Sequence, residues 1–232
     1  MNHYAITANQ INKRYGQKTA LHDFSLHLPA NQVIGILGAN GAGKSTFFRM
    51  AAGFIKPDNG SLNVLGRQAG WMTNKQIAYL PDRARWFEEH TVKQALNWAE
   101  QLLSGFNRNR AEELVDFMKL DMDMRAKGMS KGQEARLMLS ICLAREVPLI
   151  ILDEPFSGID LLSRERIISA IIENISDQEQ TIVLSTHDIH ESESLFNYVV
   201  FMDEGHVLLE SDVEQLRAER GSMETVYRQL YR

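Results

Sequence analysis

The stretch that decides the fold is Gly38-Ala39-Asn40-Gly41-Ala42-Gly43-Lys44-Ser45-Thr46. It follows an apolar run, Val33–Leu37, and precedes a segment of helical character at residues 47–52. A strand, a glycine-rich turn and a helix in this order form the context that a phosphate-binding loop requires. Glycines let successive N–H groups face an anion, and the helix start adds its positive end. The sequence therefore predicts a nucleotide-binding loop in which Lys44 reaches the β- and γ-phosphates and the Ser45 hydroxyl ligates Mg²⁺.

Length and composition are those of an ordinary globular α/β chain, with 232 residues, 44% of them hydrophobic and 24% charged. The net charge is −5 and no block of lysine and arginine is present, which argues against a nucleic-acid partner. The single cysteine, Cys142, excludes an internal disulfide, and its apolar neighbours favour core packing. Because no apolar run approaches the ~20 residues that span a bilayer, we expect a chain that is soluble by itself, for which any role at a membrane would require a partner.

Hydrophobic patterning divides the chain into a mixed first part, a helical insert and a second β/α part. Strands are predicted at residues 4–11, 24–28, 33–37, 61–65 and 76–80. A turn is predicted at residues 12–16, and a loop is expected around Trp71. Residues 88–147 are predicted to be helical, with capping boxes that pair Thr91 with Gln94 and Ser130 with Gln133. Beyond them the pattern predicts strands at residues 149–152 and 181–185, a helix at 167–175, a hairpin at 199–209 and a helical tail.

Two acidic residues follow the second buried strand of this pattern. Asp153 is placed to hold the Mg²⁺ shell if its strand lies next to the strand of the glycine-rich loop. Glu154, the next residue, is placed to polarise a water molecule for attack on the γ-phosphate. His187 also follows an apolar strand. Since the carboxyl ends of parallel strands form the ligand crevice, we expect all three sites to converge and His187 to contact the γ-phosphate.

A second anion site is predicted at residues 130–133, Ser-Lys-Gly-Gln. Ser130 and the backbone N–H groups of the helix start can bind a phosphate. Because the chain has one glycine-rich phosphate loop, this second site can face the loop of another copy.

Taken in order, these motifs resemble the nucleotide-binding subunit of an ATP-binding cassette (ABC) transporter, over nearly the whole chain up to about Glu210. Walker A corresponds to residues 38–45, Walker B to residues 149–153, and Glu154 stands in the place of the catalytic glutamate. Residues 130–133 resemble the LSGGQ signature, with Lys131 in place of the first glycine of the pair. Residues 157–160 resemble the D-loop.

The resemblance implies a role for each matching residue. The expected ATP contacts are Tyr15, Gly38, Ala39, Asn40, Gly41, Ala42, Gly43, Lys44, Ser45 and Thr46. Tyr15, expected in the turn between the first two strands, would stack on adenine. The expected catalytic residues are Lys44, Glu154 and His187. The expected contacts with the ATP of a second subunit are Ser130, Lys131, Gly132 and Gln133, and Asp160 would couple the two sites. The expected metal ligands are Ser45, Asp153 and Asp82.

Asp82 departs from the family pattern. After a strand end such as Tyr79-Leu80-Pro81, the family usually has a glutamine that contacts Mg²⁺ and the attacking water. An aspartate is shorter and charged, and it can still bind metal. Acidic residues at this position, and lysine at position 131, are similar to cassettes paired with small exporter-like permeases.

The resemblance implies a P-loop NTPase (RecA-like) α/β core with an antiparallel β subdomain and a helical signature subdomain. One ABC ATPase domain would cover residues 1–232, with the core at 1–87 and 148–232 and the helical subdomain at 88–147. The implied function is ATP hydrolysis, with Mg²⁺, that powers transport through dimer closure, in an exporter-type system. The implied partners are a transmembrane permease subunit and a second nucleotide-binding subunit, identical or paralogous, at the cytoplasmic face of the cell membrane.

Two other classes of function are compatible with parts of the sequence. A soluble ABC ATPase that serves assembly or maintenance would share every motif. The chain holds one cassette, unlike translation factors, and no long coiled coil separates its Walker motifs, unlike chromosome-type ATPases. A small P-loop kinase would use Walker A but would leave residues 130–133 and His187 without a role.

Overall fold

A computed structural model describes residues 4–177, 180–187 and 193–231. The strands in chain order are β1 (Tyr4–Tyr15), β2 (Lys18–Pro29), β3 (Val33–Leu37), β4 (Asn59–Val64), β5 (Arg67–Gln68), β6 (Ile77–Leu80), β7 (Leu149–Asp153), β8 (Thr181–Thr186), β9 (Tyr198–Asp203) and β10 (His206–Asp212). The helices are α1 (Lys44–Ala51), α2 (Trp71–Asn74), α3 (Val92–Leu102), α4 (Arg108–Phe117), α5 (Lys131–Leu143), α6 (Leu161–Asp177), α7 (Val213–Arg220) and α8 (Met223–Leu230). None of these described helices is long and apolar enough to cross a membrane.

The larger sheet has the strand order β10-β9-β3-β8-β7-β6, and all its neighbouring pairs are parallel except β9 with β10. Its inner strands are apolar without interruption because both faces are covered. In β7, Ile150 and Leu152 pack into a core shared with the helical region, whereas Leu149 and Ile151 pack into a core with α1 and the smaller sheet. The predicted α/β fold is thereby confirmed.

The strand order corrects one expectation about the site. The sequence predicts that the strand of Asp153 lies next to the strand of the phosphate loop. In the structure β8 lies between them and pairs with both β3 and β7. Periodicity cannot reveal this order, because any uninterrupted apolar strand fits the middle of a parallel sheet.

The smaller sheet is antiparallel with the order β2-β1-β4-β5, and it corrects the turn expected at residues 12–16. β1 continues through Tyr15, which pairs with Lys18, so the turn consists of residues 16–17. The polar end of β1 stays in the sheet because Asp58 supplies partners for it. Lys13 Nζ lies 2.7 Å from Asp58 Oδ1, and the Arg14 N–H donates to Asp58 Oδ2 at 2.8 Å.

The helical region confirms both capping boxes. Thr91 accepts from the Gln94 N–H at 3.2 Å, and the Gln94 side chain accepts from the Thr91 N–H at 2.8 Å. Two other expectations were wrong in extent. The loop expected around Trp71 contains the short helix α2, and α6 begins six residues before the predicted helix at 167–175. The C-terminal tail forms two helices, α7 and α8, separated at Gly221.

Candidate active site

The phosphate loop joins β3 to α1 in a shape that requires glycine at two positions. Gly43 has a φ of 105°, and a Cβ atom there would lie 2.7 Å from the Ala20 carbonyl oxygen. A Cβ at Gly38 would lie 2.3 Å from the Met202 carbonyl oxygen. Neighbouring backbone therefore closes on the loop from two sides. Lys44 folds back over it and donates through Nζ to the Gly38 carbonyl at 2.6 Å.

Asp153 is almost fully buried at the end of β7 and is held by hydroxyl groups from three elements. Ser45 Oγ donates to Asp153 Oδ1 at 3.1 Å, and Ser185 Oγ donates to the same oxygen at 2.8 Å. The Tyr79 hydroxyl lies 3.5 Å from Oδ2. Burial raises the pKa of Asp153 above its ordinary value, although the two serine hydrogen bonds act to lower it. The Ser45 hydroxyl and the Asp153 carboxylate are hard oxygen donors, which fit Mg²⁺ when phosphate oxygens complete its shell.

Glu154 links the three strand ends that the sequence predicts to converge. Its Oε1 lies 3.1 Å from Lys44 Nζ, and its Oε2 lies 2.8 Å from His187 Nδ1. The Glu154 backbone has a φ of 50°, in the left-handed region, and its N–H donates to Ser185 Oγ at 2.9 Å. The structure therefore brings Lys44 and His187 into contact with opposite oxygens of the Glu154 carboxylate.

Two cavities meet at Glu154. The smaller, of about 230 Å³, is lined by Tyr15, Lys18, Ala20, Asn40, Gly41, Ala42, Gly43, Lys44, Ser45, Thr46, Asp82 and Glu154. This lining includes the predicted ATP contacts except Gly38 and Ala39. Tyr15 is about half exposed there at the end of β1, not in the expected turn. The larger cavity, of about 640 Å³, lies between the phosphate loop, the segment after β6 and the start of α5. Asp82 lines both cavities, and its Oδ2 lies 3.8 Å from Arg83 Nε.

Residues 130–133 form a capped helix start, as predicted. Ser130 Oγ accepts from the Gln133 N–H at 3.2 Å, and the Gln133 side chain accepts from the Ser130 N–H at 2.8 Å. Lys131 lines the larger cavity, but among the described residues Ser130, Gly132 and Gln133 are not part of the lining of either cavity. Of the four residues, only Lys131 shares a cavity with a residue of the phosphate loop, Asn40.

Asp160 is the residue that caps α6. Its Oδ1 accepts from the Ser163 N–H at 2.9 Å, and its Oδ2 accepts from Ser163 Oγ at 2.7 Å. The hydrogen bond from the Ser163 hydroxyl is the main cause that lowers the pKa of Asp160. A Cβ at Gly132 would lie 2.6 Å from Asp160 Oδ2, so α5 and the start of α6 are in close contact.

Sequence reasoning does not assign roles to Ser185 and Tyr79, which both contact Asp153. Tyr79 is identified only as part of a strand end, and its pKa is raised to about 12, mainly by burial. Ser185 is a polar residue inside an apolar strand, directly before Thr186 and His187. A buried hydroxyl in that position is the signal that could have indicated its contact with the acidic residues.

The family model described as "ABC transporter" matches residues 21–157, which is more than half of the chain. The chain belongs to the ABC transporter family. As a member of this family it is an ATP-binding subunit and an ABC-type ATPase, and the ABC cassette predicted from the motifs is confirmed.

Named relatives of this ABC subunit include proteins for both directions of transport. It is 29% identical to the thiamine import ATP-binding protein ThiQ of Aliivibrio fischeri, over 88% of this chain and 90% of ThiQ. It is 27% identical to the lipopolysaccharide export system ATP-binding protein LptB of Haemophilus influenzae, over 91% of this chain and 92% of LptB. A solved structure described as an ATP binding subunit of an ABC transporter superposes with a TM-score of 0.86 at 25% identity, over 98% of this chain and all of that one.

Proposed function

We propose that two cassettes, identical or paralogous, close around ATP and thereby power a transmembrane permease. The contact of Lys44, Glu154 and His187 at one strand edge is the observation that carries this proposal. Two solved structures with this fold support it: one is described as part of the ABC transporter complex CbiONQ of Clostridium perfringens, and the other as a dimeric bacterial ABC transporter cassette. The proposed location is therefore the cytoplasmic face of the cell membrane, where the permease holds the cassette.

ATP would occupy the smaller cavity. The exposed ring of Tyr15 would stack on adenine, since a half-exposed aromatic face at a cavity edge suits a planar base. The amides of residues 38–46 and Lys44 would hold the phosphates. Ser45 and Asp153, which share a hydrogen bond, would hold Mg²⁺, and Asp82, which lines both cavities, would be a further ligand. When bound, Mg²⁺ supplies positive charge that neutralises the phosphate oxygens.

Hydrolysis would depend on Glu154 and His187. Glu154 would polarise the attacking water, and its carboxylate is held between Lys44 and His187. His187 would steady the γ-phosphate. Phosphoryl transfer needs positioning and charge stabilisation more than covalent chemistry, and these contacts would contribute to both.

The second half of each ATP site would come from the partner cassette. Ser130 is outside the lining of both cavities of its own chain, and its capped helix start can accept a phosphate from another chain. The helix start at residues 130–133 would close over the γ-phosphate of the partner, with the helical region at 88–147 acting as the signature subdomain. Asp160 packs against Gly132 and would couple the two sites.

The permease would dock on an exposed apolar surface formed by Phe54, Trp71 and Met72. Their exposed fractions are 62%, 74% and 55%, and exposed apolar patches mark interaction sites. Phe54 and Trp71 lie in neighbouring segments, because a Cβ at Gly53 would lie 2.7 Å from the Gly70 carbonyl oxygen. We propose export as the direction, on the basis of Asp82 and Lys131, which resemble cassettes of exporter-type systems.

Glu154→Gln tests this proposal because it removes the water-polarising charge and keeps the side-chain shape. We expect ATP binding to remain, hydrolysis to fall by about 100-fold or more, and a stable dimer to form with ATP and Mg²⁺. Light scattering measures the dimer and phosphate release measures hydrolysis. Glu219→Gln on α7, outside both cavities, is the matched control and should behave as wild type. A Glu154→Gln monomer at saturating ATP and Mg²⁺ would contradict the proposal.

A further inference from the structure

Ser185 lies at the centre of the strand edge that carries the site. Its strand, β8, separates β3 from β7, and the parallel register places Ser185 beside Ile36 on one side and Asp153 on the other. The side chain is fully buried. The phosphate-loop strand and the strand of the acidic residues therefore meet only through the strand of Ser185.

The Ser185 hydroxyl forms hydrogen bonds with two consecutive residues, as a donor to one and as an acceptor from the other. It donates to Asp153 Oδ1 at 2.8 Å and accepts from the Glu154 N–H at 2.9 Å. A hydroxyl has one proton, so donation to Asp153 leaves its lone pairs free to face the Glu154 amide. One side chain thereby sets the distance between an Asp153 carboxylate oxygen and the Glu154 backbone.

The Glu154 backbone is the part of the site that most needs such a restraint. Its φ of 50° lies in the left-handed region, which residues with a side chain rarely adopt. From that backbone the side chain reaches Lys44 on one side and His187 on the other. A rotation of the backbone at Glu154 would move the carboxylate away from both contacts.

We propose that Ser185 is a positioning residue for hydrolysis, which holds the Glu154 backbone and the Asp153 carboxylate in a fixed relation. The inference rests on the proposed function of Glu154 as the residue that polarises water. Ser185 touches neither nucleotide nor water in this role and acts only through the two acidic residues.

Ser185→Ala is the first test, with Ser140→Ala as its matched control. Ser140 is also a fully buried serine, and its hydroxyl donates to the Arg136 carbonyl at 2.8 Å within α5. We expect Ser185→Ala to lower kcat at least about tenfold with KM for ATP within about twofold of wild type, because a displaced catalytic group slows the chemical step. Ser140→Ala should keep the wild-type kcat. Equal effects of the two variants would overturn the proposal.

Ser185→Cys separates loss of the hydrogen bonds from loss of volume. A thiol fills the space of the hydroxyl but is a weak hydrogen-bond donor and acceptor. The kcat of Ser185→Cys should therefore fall nearly as far as that of Ser185→Ala. A Ser185→Cys enzyme with wild-type kcat would show that the hydroxyl is not needed. This variant also keeps the test decisive if Ser185→Ala does not fold.

Amide hydrogen exchange of Glu154 gives a measurement that does not depend on activity. The Glu154 N–H should be protected in the wild type and exchange at least about tenfold faster in Ser185→Ala, but not in Ser140→Ala. Unchanged exchange would show that the Ser185 hydroxyl does not hold the Glu154 N–H. Faster exchange with an unchanged kcat would overturn the positioning role. A Glu154→Gln variant that hydrolyses ATP at the wild-type rate would instead overturn the proposed function, whatever the exchange result.

Discussion

At the residue scale, the site contains charged side chains whose burial is unfavourable, and neighbouring hydroxyl groups and opposite charges partly offset this cost. Asp153 has three hydroxyl neighbours, and Glu154 contacts a lysine and a histidine. Burial still dominates for Asp153, because its pKa is raised in spite of the hydrogen bonds. The carboxylate that would hold Mg²⁺ is therefore a cost to the folded chain at neutral pH.

Asp153→Asn should make the nucleotide-free chain more stable at pH 7. The raised pKa means that the folded chain keeps a proton that the unfolded chain releases, so this contribution to stability falls as pH rises from the ordinary aspartate value through the folded one. Asparagine removes the charge and still offers Oδ1 to Ser45 and Ser185. We expect a higher urea midpoint at pH 7, with the difference shrinking below about pH 4, the ordinary aspartate pKa.

Asp58→Asn is a control of opposite sign for that measurement. The hydrogen bond from Lys13 is the main cause that lowers the pKa of Asp58, so its stabilising contribution is present above the ordinary aspartate pKa and is lost as pH falls. Asp58→Asn should therefore lower the urea midpoint at pH 7. An Asp153→Asn variant that is destabilised in the same way would contradict the account of burial.

At the element scale, the ends of strands and helices carry the chemistry. β3, β7 and β8 bring Lys44, Glu154 and His187 together, and α5 presents Ser130 through a local capping box. The close approach of α5 to the start of α6 depends on glycine at position 132, since a Cβ there would lie 2.5 Å from Ser163 Oγ. The position of α5 is therefore limited by its contact with Asp160 and Ser163 at the start of α6.

Gly132→Ala should lower the free energy of unfolding by about 1–2 kcal/mol, because the added methyl group forces α5 away from α6. Alanine favours a helix over glycine by about 1 kcal/mol, and we expect the steric cost to exceed this gain. Gly70→Ala is the matched control, because a Cβ there meets no atom within 4 Å. Urea unfolding measures both variants, and a Gly132→Ala chain as stable as Gly70→Ala would show that the contact is not restrictive.

Features that depend on neighbours in sequence could be predicted, and features that depend on strand order could not. The phosphate loop and both capping boxes follow from residues within a few positions of each other. The place of β8 between β3 and β7 follows from tertiary packing, so the polar Ser185 at the end of an apolar strand indicates a buried contact but does not identify Asp153 and Glu154 as its partners. Arg145 is a second feature that the sequence does not reveal. An arginine just after a helix is usually solvent-exposed, but Arg145 is buried and donates to the carbonyls of Ile77 and Ser104.

At the scale of the whole molecule, the fold presents two separate surfaces with features that can bind phosphate. The strand edge holds the phosphate loop, the acidic residues and His187, whereas the capped start of α5 offers Ser130 outside the cavities of its own chain. Under the proposed function, each chain would provide one half of an ATP site and the complementary half of its partner's site. ATP would be the bridge between two chains, and its hydrolysis would let them separate and move the permease.

The most direct test of this central claim is an atomic structure of the Glu154→Gln chain with ATP and Mg²⁺. We predict a pair in which Ser130 Oγ of one chain lies ~3 Å from a γ-phosphate oxygen held by Lys44 of the other. A structure in which Ser130 stays far from every terminal phosphate, or in which each ATP is enclosed by a single chain, would contradict the account.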